Sequence, residues 1–598
     1  MADQNPSRFM NKLEELFGAD LRSLAALRIG VALLILFDLI ERSSDLIDHY
    51  TDFGAVPRSF AIGQSESRWF ISIHLLSGVW EVQAILFLIA AVFTLAMLLG
   101  YKTRLATILS WVFLTSLITR NAYIVTGGDG MLRVVLFWGM FLPWGACYSI
   151  DRAWNSSWGK PPIRCLSWGT VGYVAQIFFI YWFTAILKTG VEWRSEGSAI
   201  YYALSVDYIA TDLGQFLLQF PLLLKLITHG VFGFEIIGPL LLLCPFFTGP
   251  IRTAGVFAFW LFHIGILSTL RIGLFPWIGI ISMFFFLPSW FWKKLFGGLK
   301  TEERMDLTIY YDGECDFCWK SVRLMKTFFL LPETRLVTAQ NNPSIKTDMN
   351  LHNSWIVVDK GGVRHFRYDA IPIIAGASPI LWPVVPLLKL SLARPVGEKV
   401  YARVSLHRKV ACNINGSESA KSVRTFELSA LANVAIVFLL LYLLLWNLGT
   451  IRNSGVRISE RFRFLGEILR LDQTWGMFAP RPAKDDGWYV IPGKLSNGQT
   501  VDLFRGGTEL DWKKPRLVSS IYKNHRWQKY MEGLRKIDAL QINYAQYLCR
   551  SWNRSHDNGP RLEELEIFYL LEWTLPNYEY FTPEKRSILK YQCPTQPR

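Results

Sequence analysis

Charge is what this chain of 598 residues has least of: 19% of its residues are Asp, Glu, Lys or Arg, against about 25% in an ordinary soluble protein. That shortage argues against a string of soluble domains. A cysteine framework is missing as well. Eight Cys are scattered along the chain and only Cys315 and Cys318 lie close together, which excludes a disulfide-stapled scaffold, and no second pair completes a zinc site. Basic runs interleaved with aromatics are also absent, so the formal charge of +15 does not point to nucleic acid. It fits the Lys/Arg excess of cytoplasmic loops in membrane proteins. Residues 1–24 are polar and mixed in charge, so no cleaved signal peptide is expected, and the first span serves for insertion.

Apolar residues are abundant. They make up 51% of the chain, with 24 Trp and 41 Phe, and aromatic rings gather at bilayer interfaces. A span needs about 20 apolar residues to cross roughly 30 Å of hydrocarbon. Nine segments approach that criterion: Ala25 to Ile40, Glu81 to Gly100, Leu105 to Ile118, Met131 to Cys147, Val171 to Leu187, Leu226 to Leu243, Ala254 to Leu270, Phe275 to Trp292 and Leu428 to Leu448. The shorter Leu213 to Leu224 suits an interfacial or re-entrant segment.

Basic residues orient these spans. Arg8, Lys12, Arg22 and Arg28, then Lys102 and Arg104, Arg152, Lys160 and Arg164, Arg252, and Lys293, Lys294 and Lys300 all fall on one side if the N-terminus is cytoplasmic. Residues 301–425 then share the cytoplasm, and the ninth span, within 426–450, carries residues 451–598 outside. That tail has 24 basic and 17 acidic residues, an excess suited to a surface beside anionic lipid. Cys549 and Cys593 can pair if the tail is outside the cytoplasm.

The stretch LTIYYDGECDFCWKSVRLMKTFFL runs from an alternating, strand-like segment through a turn at Asp312-Gly313 into a helical pattern. Cys315 then stands at a helix N-terminus, where unpaired N–H groups and the macrodipole favour a thiolate. Cys315 is the expected attacking thiolate and Cys318 the resolving thiol, while Glu314 and Asp316 oppose the anion. Further on, SWIVVDKGGVRHF reads as a hairpin turning at Gly361-Gly362. A strand and helix followed by a hairpin predicts a thioredoxin-like domain. YDGECDFC, YDAI, LWPVVPLLKL and VYARVSLHR resemble the DCC family of thiol–disulfide oxidoreductases over about Met305 to Arg408. The resemblance implies that the two Cys form the redox pair and that a cytoplasmic dithiol reductant is the partner. Pro343 and Pro372 are candidates for the cis-proline of such folds, and Tyr401 and Arg408 match the family's tail.

Polar groups within apolar segments need a reason, because a charge at mid-span costs about 2.5–3.5 kcal/mol even on the lenient insertion scale. Asp38, Arg120, Asn121, Asp129 and Arg133 belong to this set, as do Lys188, Glu235 and His263. Lys188 is either a desolvated base or a side chain snorkelling to the headgroups. Glu235 can pair with Arg120, Arg133 or Arg271, and His263 can be a helix contact or a catalyst.

LRIGVALLILFDLI, RNAYIVTGGDGMLR, ILKTGVEWRSEG, GFEIIGPLLLL, FHIGILSTLRIGLFPW and QTWGMFAPRP resemble the horizontally transferred transmembrane (HTTM) family. That family is related to vitamin K-dependent γ-glutamyl carboxylase. The likeness spans about Leu21 to Trp292 and resumes near Asp472. It implies that Lys188 is the base acting on a vitamin K-type quinol and that His263 is catalytic. Asp129, Arg133, Trp193 and Glu235 are the expected substrate-binding residues. The tail is shorter than the carboxylase's luminal region, and a dithiol domain interrupts the family pattern.

The expected fold class is therefore an α-helical polytopic membrane protein of about nine spans, in a bacterial inner membrane. It carries a cytoplasmic α/β thioredoxin-like domain and an α+β extracytoplasmic C-terminal domain. Its parts are residues 1–300, 301–425, 426–450 and 451–598. The expected function is a redox enzyme that couples a quinone-type or isoprenoid substrate to thiol–disulfide exchange. A redox-gated conduit lined by Asp129, Glu235 and His263 is the alternative, and a non-catalytic membrane scaffold is a third.

Overall fold

The computed structural model describes residues 8–64, 69, 71–155, 163–299, 307–331, 333–414, 429–576 and 582–594. Among these, six helices are long and apolar enough to cross a membrane: Leu21–Ser43, Trp80–Leu99, Trp168–Leu187, Pro221–Leu242, Thr248–Thr269 and Ala430–Thr450. A further pair, Phe275–Phe286 and Ser289–Gly297, bends by 91°. The bend falls before Pro288, whose ring disfavours helical geometry at the preceding residue. Leu287 accordingly turns extended, with ψ 114°.

Two of the nine expected spans take a different form. Leu105 to Ile118 lies within Thr103–Arg120, an 18-residue helix rich in hydroxyl side chains. Thr107, Thr115 and Thr119 each donate to the carbonyl one turn back. Met131 to Cys147 supplies only the 13-residue helix Gly127–Gly139, buried almost throughout, so its apolar run meets other helices on all sides. Leu213 to Leu224 becomes the short helix Asp212–Leu217 followed by the opening of Pro221–Leu242.

The helix ends are gathered into two faces. On the first, Asp151 N–H donates to the Gly100 carbonyl and the Asp151 carboxylate accepts from the Lys102 and Thr103 N–H groups. Ala19 and Asp20 pair as a two-residue bridge with Cys165 and Arg164, and Arg252 binds the carbonyls of Glu15 and Leu16. The dithiol domain docks here, through helix Asp316–Phe328 against Ile150–Trp154.

That domain is built on a four-stranded sheet. Thr308–Tyr311 runs parallel to Arg335–Thr338 and antiparallel to Ile356–Val358, which pairs with Arg364–Phe366. Ile309, Val322, Val357 and Ile374 fill the core beneath. The expected hairpin turn is present, with Gly362 at φ +76°, a value that glycine adopts without a Cβ clash. The bonds before Pro343 and Pro372 are trans, and the cis bond among the described residues precedes Pro480.

The second face carries the C-terminal part. Strand Leu562–Trp573 pairs with Glu584–Gln592, Asp485–Val490 and Pro492–Leu495, and the last of these pairs with Thr500–Asp502. Helices His525–Leu534 and Asp538–Ser555 complete it, and Cys549 is disulfide-bonded to Cys593. This part is wedged into the helix bundle. Arg526 reaches Asp38 at 2.5 Å and Asp129 at 3.1 Å, while Arg42 reaches Asp38 at 2.7 Å and Asp129 at 2.5 Å, all four buried.

Candidate functional site

Helix Trp168–Leu187 opens with a reciprocal cap between Ser167 and Thr170, which satisfies its first N–H groups. It ends at Lys188, and Tyr181 lies seven residues earlier on the same helical face. Lys188 does not snorkel: it is 3% exposed. Its Nζ lies 2.6 and 2.7 Å from the two carboxylate oxygens of Glu235. The Glu235 partner is thus Lys188 and none of Arg120, Arg133 or Arg271. The Lys188 ammonium also stands 4.0 Å from the Trp193 ring centroid, a cation–π contact. Trp193 is fixed in turn by its indole N–H, which donates to the Phe478 carbonyl at 3.0 Å.

His263 occupies the next layer. Its Nε2 lies 2.7 Å from Tyr181 Oη, while its buried Nδ1 has no hydrogen-bond partner among the described residues. The ring is seated against Gly279, where an added Cβ would come within 2.1 Å of it, so that position requires glycine. Lys188, Trp193, Glu235 and His263 therefore come from separate segments and meet along one face of a single helix.

Asp129 and Arg133 do not join this cluster. Asp129 caps its own helix reciprocally with Thr126 and is committed to Arg42 and Arg526. Arg133 binds the Asp472 carbonyl and carboxylate. Arg42 and Arg526 escaped the sequence reading: Arg42 closes the first span, where basic residues are ordinary, and Arg526 lies in a polar tail. The motif past the last span does arrive at the site. The Pro480 carbonyl accepts from the Gly190 N–H at 2.9 Å, and Trp475 bonds Gln473, which bonds Gln176.

In the dithiol domain Cys315 takes the N-cap position of helix Asp316–Phe328, as its motif predicts, and Cys318 is buried one turn on. Cys315 is in a disulfide in which Cys318 does not take part. A Cys-x-x-Cys helix turn carries both sulfurs on one face, so the exchange pair is available only when the present bond is opened. Tyr401 Oη donates to Ser354 Oγ at 2.9 Å, a packing role, and the Arg408 side chain lies outside the described residues.

The two sulfurs and Lys188 stand at opposite ends of the bundle. The dithiol domain docks on the face where Trp168–Leu187 begins, and Lys188 follows its last residue. Twenty residues rise about 30 Å.

Comparison with known families matches residues 18–290 to the HTTM domain and residues 309–412 to the DCC1-like thiol-disulfide oxidoreductase domain. No curated protein and no solved structure matches the chain. Membrane-crossing helices and a thiol–disulfide module thus coexist in one polypeptide. The chain joins an HTTM domain to a DCC1-like thiol-disulfide oxidoreductase domain and is a membrane protein of redox type.

Proposed function

We propose that the chain is a membrane redox enzyme that receives a quinone-type or isoprenoid substrate at the Lys188–Glu235 pair. Cys315 and Cys318 exchange two electrons with a dithiol reductant. The observation that carries this reading is the enclosed ion pair. Burying two charges costs several kcal/mol each, and ionisable residues inside membrane segments mark proton and substrate paths. Lys188 and Glu235 hold one exchangeable proton between them, and Trp193 keeps the ammonium in place. When bound, a quinone-type molecule supplies a two-electron couple that matches the dithiol.

Placement at opposite ends of a helix about 30 Å long favours a carrier that moves within the bilayer, as an isoprenoid-tailed molecule does. It also favours the second reading, a redox-gated conduit, in which the sulfurs at one end control access to Lys188 and Glu235 near the other. Hydrogen bonds at the helix ends alternate between the two faces, which supports nine passes of the chain, two of them through the shorter helices. The sheet order and the place of Cys315 support a thioredoxin-like domain on the cytoplasmic side. The basic residues of that face and the Cys549–Cys593 bond on the other support the tail outside, since disulfides persist in oxidising compartments. That arrangement suits a bacterial inner membrane.

The test is saturable binding of a labelled short-chain quinone to the purified full-length protein. The Lys188→Met/Glu235→Leu double variant, which removes both charges together, is expected to bind at least tenfold more weakly. Unchanged binding and turnover in that variant remove the assignment.

A further inference from the structure

A cavity of about 230 Å³ opens on the first face, between the start of helix Thr248–Thr269 and the bend at Pro288. Its walls include Arg164, Thr248, Arg252, Ser289 and Trp290. The acids on its wall are already spent: Glu15 pairs with Lys12 at 2.8 Å and Asp20 with Arg22 at 2.7 Å. The two arginines are not. Among the described residues neither Arg164 nor Arg252 has a carboxylate partner. Arg164 donates Nε to Ser289 Oγ at 3.1 Å. Arg252 is 3% exposed; it uses Nη1 on the carbonyls of Glu15 and Leu16, and its buried Nε has no partner.

Backbone geometry adds to this. Thr248–Thr269 is a 22-residue helix that opens from Phe247 at φ 44° with no side-chain cap. Pro250 has no N–H and the Ile251 N–H bonds the Phe247 carbonyl, so the N–H groups of Thr248 and Gly249, with the positive end of the macrodipole, are what the helix start offers to the rim. Two arginines without an ion pair among the described residues, lining one cavity beside a helix start with no side-chain cap, make an anion site.

We propose that this cavity binds a phosphate-bearing anion, as the headgroup of an anionic phospholipid or as free phosphate. The cavity is smaller than the 300–1,000 Å³ typical of drug-sized ligands, which suits a headgroup. Phe246 and Phe247 are 72% and 82% exposed at the rim. Helix Ser289–Leu299, with Trp290, Trp292, Lys293 and Lys294, departs at the 91° bend, as an interfacial helix does. This site is separate from the Lys188 cluster and does not depend on the function proposed for it.

Native mass spectra of the full-length protein test the site, after titration with phosphatidylglycerol, with diacylglycerol of the same chains, and with inorganic phosphate alone. One phosphatidylglycerol is expected to be retained per chain and diacylglycerol is not. Arg164→Gln and Arg252→Lys should each lower that occupancy at least fivefold, while Arg104→Gln, exposed at the start of helix Thr103–Arg120 and outside the cavity, leaves it unchanged. Retention of phosphatidylglycerol without competition from phosphate identifies the lipid as the source. Saturable phosphate binding lost in the same two variants identifies the free anion. Among the described residues the Arg164 side chain hydrogen-bonds only to Ser289, and its backbone pairing with Asp20 survives the substitution, so its variant should melt like the parent. Equal retention in the parent, Arg164→Gln and Arg252→Lys, or an equal loss in Arg104→Gln, overturns the proposal.

Discussion

Lys188 and Glu235 illustrate how a charge is accommodated where water is absent. Each carboxylate oxygen meets the ammonium within 2.7 Å, and the Trp193 ring covers another side of it. Removing one partner strands the other, at a cost of about 3–5 kcal/mol. Lys188→Ala is therefore expected to lower thermal stability in detergent sharply, and Lys188→Met with Glu235→Leu to recover most of the loss. A double variant as unstable as the single would contradict this account. Both residues were legible in the sequence as outliers in apolar surroundings. Their pairing was not, since 47 positions separate them and helix packing alone brings them together.

At the scale of elements, apolar length was the readable quantity and its environment was not. The run Met131 to Cys147 looks like a span, yet its helix stops at Gly139, four residues before Pro143, whose ring clashes with the carbonyl at that position and supplies no N–H to it. The dithiol sheet was clearer, since turn residues and alternation are local signals.

The contact between the loop at Asp207 and the C-terminal sheet gives a pH prediction. Asp486 lies beside Asp207 and Glu572, and Lys514 bridges the last two at 2.5 Å each. Burial, and then the Asp207 carboxylate, push Asp486 up to about 8, with Lys514 opposing. A carboxyl raised in the folded state stabilises fully below the ordinary carboxylate range and loses that contribution as pH rises through about 8. The melting temperature should accordingly fall between pH 6 and pH 9, and Asp486→Asn should flatten that fall. An identical slope in the variant would refute the assignment.

For the whole molecule, the two-faced arrangement makes a claim about sidedness. Single cysteines placed at exposed Lys360, in the dithiol domain, and exposed Asp557, in the tail, should react differently with a membrane-impermeant maleimide. Intact cells should label Asp557→Cys alone, and permeabilised cells both. Equal labelling in intact cells would put the two parts on one side. The overall division into helix bundle, dithiol insert and tail was legible from hydropathy and motifs. The tail's deep engagement with the bundle was not, because a polar composition says nothing about what it docks against.

Arg526 carries that engagement into biogenesis. Asp38 and Asp129 sit within the segments a translocon inserts first, and Arg42 can neutralise only one of them. The second counter-charge is synthesised some four hundred residues after Asp129 and arrives only once the tail has docked. Until then the early bundle holds an unbalanced acid, so its final closure waits on the ribosome finishing the opposite end of the message.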